Sequence, residues 1–181
     1  MSQTDNSLIQ IFLPIINAGL INDGFTGVTV VQSNQPTMQG IVTSPAIYFF
    51  KLHNKRYGFL GRSDSWDILS SSMVHKESQY MECSFQVNAL VLQDPADPAK
   101  YTASDLVNEV ADIMQSDNTL SILNSNGIGI LRITDVSNAY FFDDHDNFEA
   151  SPSFDFTLIY QNVRVSTDPI LTNFNIDTIP I

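Results

Sequence analysis

Apolar and polar residues alternate most cleanly over two stretches of the chain. Between 81 and 91, Met81, Cys83, Phe85, Val87, Ala89 and Val91 alternate with Glu82, Ser84, Gln86 and Asn88. Between 154 and 160, Phe154, Phe156, Leu158 and Tyr160 alternate with Asp155, Thr157 and Ile159. A period of two belongs to a strand with one buried face. The pattern therefore predicts strands over 81–91 and 154–165. Weaker strand signals lie at 28–31, 47–53 and 128–134, and a further aromatic and acidic stretch begins at 140–142. Asn54-Lys55-Arg56 is expected to turn the chain, with 57–62 returning as the partner of 47–53 in a hairpin. The stretch 66–74 fits a short helix or a loop. Residues 34–43, with Pro36 and Gly40, and 94–98, with two Asp-Pro steps, read as loops.

Helical periodicity appears in three places. Leu8, Ile9, Phe12, Ile15, Ile16 and Gly19 share one face, so a helix is predicted to about Leu20. Asp5 or Ser7 would cap it, and Pro14 would kink it or mark a second start. Thr102 caps a second helix, with Asp105 completing a capping-box pair, and Leu106, Val107, Val110, Ile113 and Met114 form its stripe. A third, short helix is predicted over 119–124, stopped by Asn126-Gly127. Together these elements predict an α+β fold: a mostly antiparallel sheet of about five or six strands with helices packed on one face. Residues 1–165 form the expected domain. From Ser166 the chain changes character. Asp168-Pro169 and Pro180 limit regular structure, yet Ile170, Leu171, Phe174, Ile176, Ile179 and Ile181 remain apolar, so 166–181 is expected to be an extended arm docked on its own core or on a neighbour.

Composition sharpens this. At 181 residues, 43% hydrophobic and with mean hydropathy near zero, the chain can bury a core. Its longest apolar run, 11–21, is broken by Pro14, Asn17 and Gly19 and is too short to span a bilayer. The opening Met-Ser-Gln-Thr-Asp-Asn makes a poor signal peptide. Cys83 is the single cysteine; this fits a reducing cytoplasm, and its phase with apolar neighbours predicts a buried thiol rather than a nucleophile.

A net charge of -12 argues against gripping nucleic acid, although a duplex can slide past an acidic wall. The charge is uneven. Lys51, Lys55, Arg56 and Arg62 are half of the eight basic residues, whereas from Tyr101 onward Arg132 and Arg164 stand against twelve acids. Such asymmetry suits subunits that meet head to tail, basic patch on acidic patch, as well as simply solvated faces.

Catalytic chemistry finds little purchase. His53, His75 and His145 sit in no recognisable motif, and there is no nucleophile elbow, phosphate loop or zinc-protease signature. Asp143, Asp144, His145, Asp146 and Glu149 are the best candidates for a hard cation, but the run lacks the glycine and glutamate of a calcium loop, and an exposed acidic loop explains it better. No cofactor is expected. Tyr48, Phe49, Phe50, Phe141, Phe142, Phe148, Phe154 and Phe156 read as sheet core. One member of each adjacent pair must then point away from that core, under a helix or a partner.

Several segments together resemble the bacteriophage gateway, or neck tail-terminator, family. They are Ile47-Tyr48-Phe49-Phe50 with Arg56-Tyr57-Gly58; Phe85-Gln86-Val87 followed by Thr102-Ala103-Ser104-Asp105-Leu106; Met114-Gln115-Ser116; and the acidic run 144–149 leading into Pro152-Ser153-Phe154-Asp155-Phe156. The resemblance covers roughly residues 5–165 and leaves the arm outside. It implies a tail-terminator-like fold in a virion structural protein, assembled in the host cytoplasm and without catalytic residues. Six copies would form a ring that ends the tail tube and joins it to a head-completion, connector or collar protein, with the tail sheath as a further contact and DNA passing through the lumen. The candidate interface residues are Lys55, Arg56, Tyr57 and Arg62, the acids Asp143, Asp144 and Asp146, and Phe174 and Ile176 of the arm. The alternatives are another tail-completion or baseplate structural protein, or a small metal-dependent enzyme built on the acidic run 143–149.

Overall fold

The computed structural model describes residues 4–33, 45–91, 99–142 and 148–169, the side chains at 140–142, 148–150 and 169 excepted. Among the described residues the chain is α+β, with three helices and six strands in one mixed, mostly antiparallel sheet. Helix α1 spans Asp5–Asn22. Thr4, not Asp5 or Ser7, is its N-cap: the Ser7 amide donates to Thr4 Oγ1 at 3.2 Å and the Thr4 amide to Ser7 Oγ at 2.8 Å. Asp5 is used differently, its carboxylate accepting from Lys51 Nζ at 2.6 Å. The helix is one element through Pro14, which lies on its exposed side.

Helix α2, Ala103–Gln115, starts as its sequence predicts. The Asp105 amide donates to Thr102 Oγ1 at 3.1 Å, and the Thr102 amide and hydroxyl both donate to the Asp105 carboxylate at 2.8 Å, which holds that carboxyl below its ordinary pKa. Ser116 closes α2 and caps α3, Asp117–Ser125, which therefore begins two residues earlier than the Asp117-Asn118 break suggested. Gly19 lets α1 and α2 meet: a β-carbon there would stand 2.7 Å from the Ile113 side chain.

The strands are β1 Thr29–Gln32, β2 Ala46–Asp67, β3 Ser72–Leu90, β4 Ile128–Ile133, β5 Ser137–Phe142 and β6 Phe148–Pro169. Their order is β1-β2-β3-β6-β4, with β5 also on β6; β1 runs parallel to β2 and the other pairs are antiparallel. The alternating residues lie on the buried face as expected, and the two strands that carry them pair with each other. Phe85 faces Phe156, Val87 faces Phe154 and Cys83 faces Leu158 across β3 and β6, all buried. Phe12 of α1 sits over this layer, edge-on to Phe49, Phe85 and Phe156 at 5.1 to 5.4 Å. Burial of the core pushes the Cys83 thiol up to about 11, which keeps it protonated and inert.

The hairpin differs from its expected form. Asn54-Lys55-Arg56 does not turn; β2 runs through it and pairs with β3 out to Asp67 opposite Ser72. The turn lies at 68–71, where Asp67 Oδ1 accepts from the Leu69 amide at 3.0 Å, Asp67 Oδ2 accepts from Ser70 Oγ at 2.7 Å and Ser71 takes a positive φ of 46°. An aspartate bonding the backbone two residues on is a stronger turn former than Asn-Lys. The stretch 66–74 is accordingly strand, turn and strand. Strand β3 begins nine residues before Met81, and β6 continues past 165 through Asp168 and Pro169.

Candidate assembly interface

Strands β2, β3 and β6 are much longer than the helix layer that covers them. Helix α1 starts beside Lys51 and reaches Phe49 at Phe12, so it runs away from the far end of the sheet. Beyond Lys51 every residue from 52 to 66 is exposed. The three strands there form a ribbon that projects about 50 Å at ~3.3 Å per residue. Charge pairs stitch it across the strands. Lys55 Nζ lies 4.0 Å from Glu82, Arg62 Nε donates to Glu77 at 3.2 Å, and His75 bridges Asp64 at 2.8 Å on β2 and Asp168 at 3.1 Å on β6. The hydrogen bond to Asp64, with the charges of Asp64 and Asp168, raises the His75 pKa above its ordinary value.

The ribbon is apolar where water reaches it. Leu52, Tyr57, Leu60, Trp66, Met73, Tyr80 and Val165 are exposed, Ile68 is 81% exposed, Leu69 98% and Phe59 fully so. A soluble surface does not ordinarily spend that much apolar area on one projection unless something covers it. Phe59 is held out by backbone geometry. Between Tyr57 opposite Tyr80 and Gly61 opposite Ser78, β2 carries two more residues than β3, so 58–60 bulge from the edge of the sheet. Gly58 supplies the positive φ of 71°, and Gln79 Nε2 donates to the Tyr57 carbonyl at 2.6 Å and the Gly58 carbonyl at 3.3 Å. The bulge is thus a braced knob.

Lys55, Arg56, Tyr57 and Arg62 all lie on this ribbon, around the knob. Cross-strand partners share a face. Arg56, opposite Met81, and Arg62, opposite Glu77, continue the face that is core nearer the helices; Lys55, opposite Glu82, and Tyr57, opposite Tyr80, occupy the other. Asp143, Asp144, Asp146, Phe174 and Ile176 lie outside the described residues. Phe59, Ile68, Leu69 and Gln79 escaped the reading of the sequence. The available signal was the pair Gly58 and Gly61 bracketing two apolar residues inside a strand. Among the described residues no group of His, Cys, Asp and Glu side chains could hold a metal ion, and no helix is long and apolar enough to cross a membrane.

Comparison with known proteins gives a consistent picture. The family described as E217 gateway protein gp29 matches residues 7–170. No curated protein matches the sequence. Among solved structures, the fold is similar to the sheath/tube terminator of an extracellular contractile injection system, PVC, determined in its extended state, with a TM-score of 0.60 at 8% identity. The alignment covers 100% of this chain and 64% of that one, so the chain spans just under two thirds of the terminator's length.

Proposed function

The chain belongs to the E217 gateway protein gp29 family, and from that premise we propose that it is a structural protein of a phage neck that ends the tail tube and joins it to the head. The observation that carries this is the family match over almost all of the described fold, seconded by a fold shared with a sheath/tube terminator. The work is geometric rather than catalytic. Copies related by rotation close into a ring of six, one face meeting the last ring of tube and halting further addition, the other meeting a head-completion, connector or collar protein. The tail sheath is a further contact. DNA passes through the lumen without being held, as the net charge of -12 favours.

The ribbon supports the assembly role. Its exposed aromatic and arginine side chains are the residue types that anchor protein interfaces. With 166–169 taken up by β6, the rest of the arm, 170–181 with Phe174 and Ile176, and the acids Asp143, Asp144 and Asp146 are assigned to further contacts in the neck. Light scattering and negative-stain images of the purified protein, alone and with its tail tube, test the reading. The expected result is a ring with a hole wide enough for a duplex about 20 Å across. Particles that join heads to tails of normal length without this protein would overturn it.

A further inference from the structure

A groove of about 690 Å³ runs along the outer side of the helix layer, between α1, α2 and α3. Ile11, Ile15 and Ile122 contribute apolar surface to it, and Asp23, Glu109 and Asp112 contribute acid. Among the described residues no basic side chain comes within ion-pair distance of those three acids. Burial, a hydrogen bond shared with Asp23 and the charges of Asp23 and Asp112 all raise the Glu109 pKa, the mark of acids crowded without a cation. We infer that this groove receives the Phe59 bulge of a second copy, with Phe59 and Leu60 on the apolar floor and Arg56 and Arg62 toward the acidic rim.

Charge distribution selects this occupant. The ribbon over 52–67, 72–82 and 161–168 holds five of the eight basic residues against five acids; the remainder of the chain holds three against fifteen. The whole net charge of -12 therefore lies off the ribbon, which is neutral, and Arg56, without an ion-pair partner among the described residues, is a ribbon cation free to meet the acids of another copy's helix layer. Apolar surfaces match as well, a fully exposed Phe59 facing a groove with isoleucine walls. The bulge cannot fill the groove of its own chain. It sits about 25 Å from Lys51 along a paired ribbon, and α1 leads the groove in the opposite direction. Knob and groove are different patches, so the contact is heterologous, and repeated by rotation it closes a ring. This inference rests on the ring reading above and says which surfaces build it.

A charge swap tests it on the full chain. Arg56→Glu and the exposed Asp112→Lys should each weaken self-association at least about tenfold, and the two together should recover most of it. Phe59→Ala should weaken it further with unchanged circular dichroism, and Glu109→Lys repeats the groove test at a second acid. Single variants that associate like the wild type, or a double variant no better than either single, would overturn the groove assignment while leaving the ring in place. A wild-type protein that stays monomeric even on its tail tube would remove the ring reading itself.

Discussion

The same three strands build two unlike regions. Near the helices, β2, β3 and β6 present Phe49, Phe85 and Phe156 to Phe12, and all four rings are buried. Farther along, the same ladder presents Phe59, Trp66, Ile68 and Leu69 to water. Backbone pairing is continuous between them apart from the bulges near His53 and Gly61. Hydrogen bonding along a sheet thus sets shape, while the second layer sets what is stable alone. The covered region holds the buried core; the bare region leaves its apolar side chains in water in the single chain, and it is the surface assigned above to a partner.

The largest expected effect separates the two by one aromatic ring each. Phe12→Ala should cost about 3–5 kcal/mol by thermal or urea unfolding, because it removes a ring packed against three others. Phe59→Ala should leave the unfolding midpoint close to that of the wild type. Equal losses of stability at both positions would erase the distinction. Within the covered region, Gly19→Ala should cost about 1–3 kcal/mol, since its β-carbon would stand 2.7 Å from Ile113 and force α1 and α2 apart. Thr102→Ala should cost about 1 kcal/mol through loss of the α2 cap. Urea titrations measure both.

Smaller effects probe the ribbon. Gln79→Ala removes the brace across the bulge, so amide exchange at Gly58 and Phe59 should quicken while global stability changes by less than about 1.5 kcal/mol. The smallest effect is pH dependence at His75. Its pKa is raised in the fold above the ordinary 6.5, so its stabilising contribution is fully present below that value and is lost as the pH rises through the folded pKa. After correction for the intrinsic, base-catalysed exchange rate, ribbon amides should be better protected near pH 5.5 than near pH 8, by roughly what an exposed pair can supply. NMR titration of His75 should give a midpoint above 6.5 that falls in Asp64→Asn. A midpoint at or below the ordinary value would show that the bridge to Asp64 and Asp168 does not form in solution.

Local interactions made some of this legible. Thr102 with Asp105, the stripe of α2 and the alternation of β3 and β6 each depend on residues within a few positions of one another, and the fold places them as the sequence predicts. At α1 the local rule identified the element but missed the cap, because Asp5 had a better use in a long-range pair with Lys51. The candidate interface was half legible. Arg56 and Arg62 stood out by charge; Phe59 did not, because an apolar residue in a strand reads as core unless its neighbours across space are known.

The sequence by itself determined the helices, the core alternation and the inert cysteine, since periodicity, capping and composition act locally or on the whole chain at once, and its segments from Ile47 to Phe156 carried the resemblance to a gateway family. Only the tertiary structure decided where β2 turns, which stretch of each long strand lies under helices, and that Gly58-Phe59-Leu60 stands out as a braced knob. Those outcomes depend on pairing between residues up to about a hundred positions apart, as β3 with β6. The turn expected at Asn54 and the stronger one that Asp67 makes are told apart only when the full ladder of β3 carries β2 through the first and up to the second.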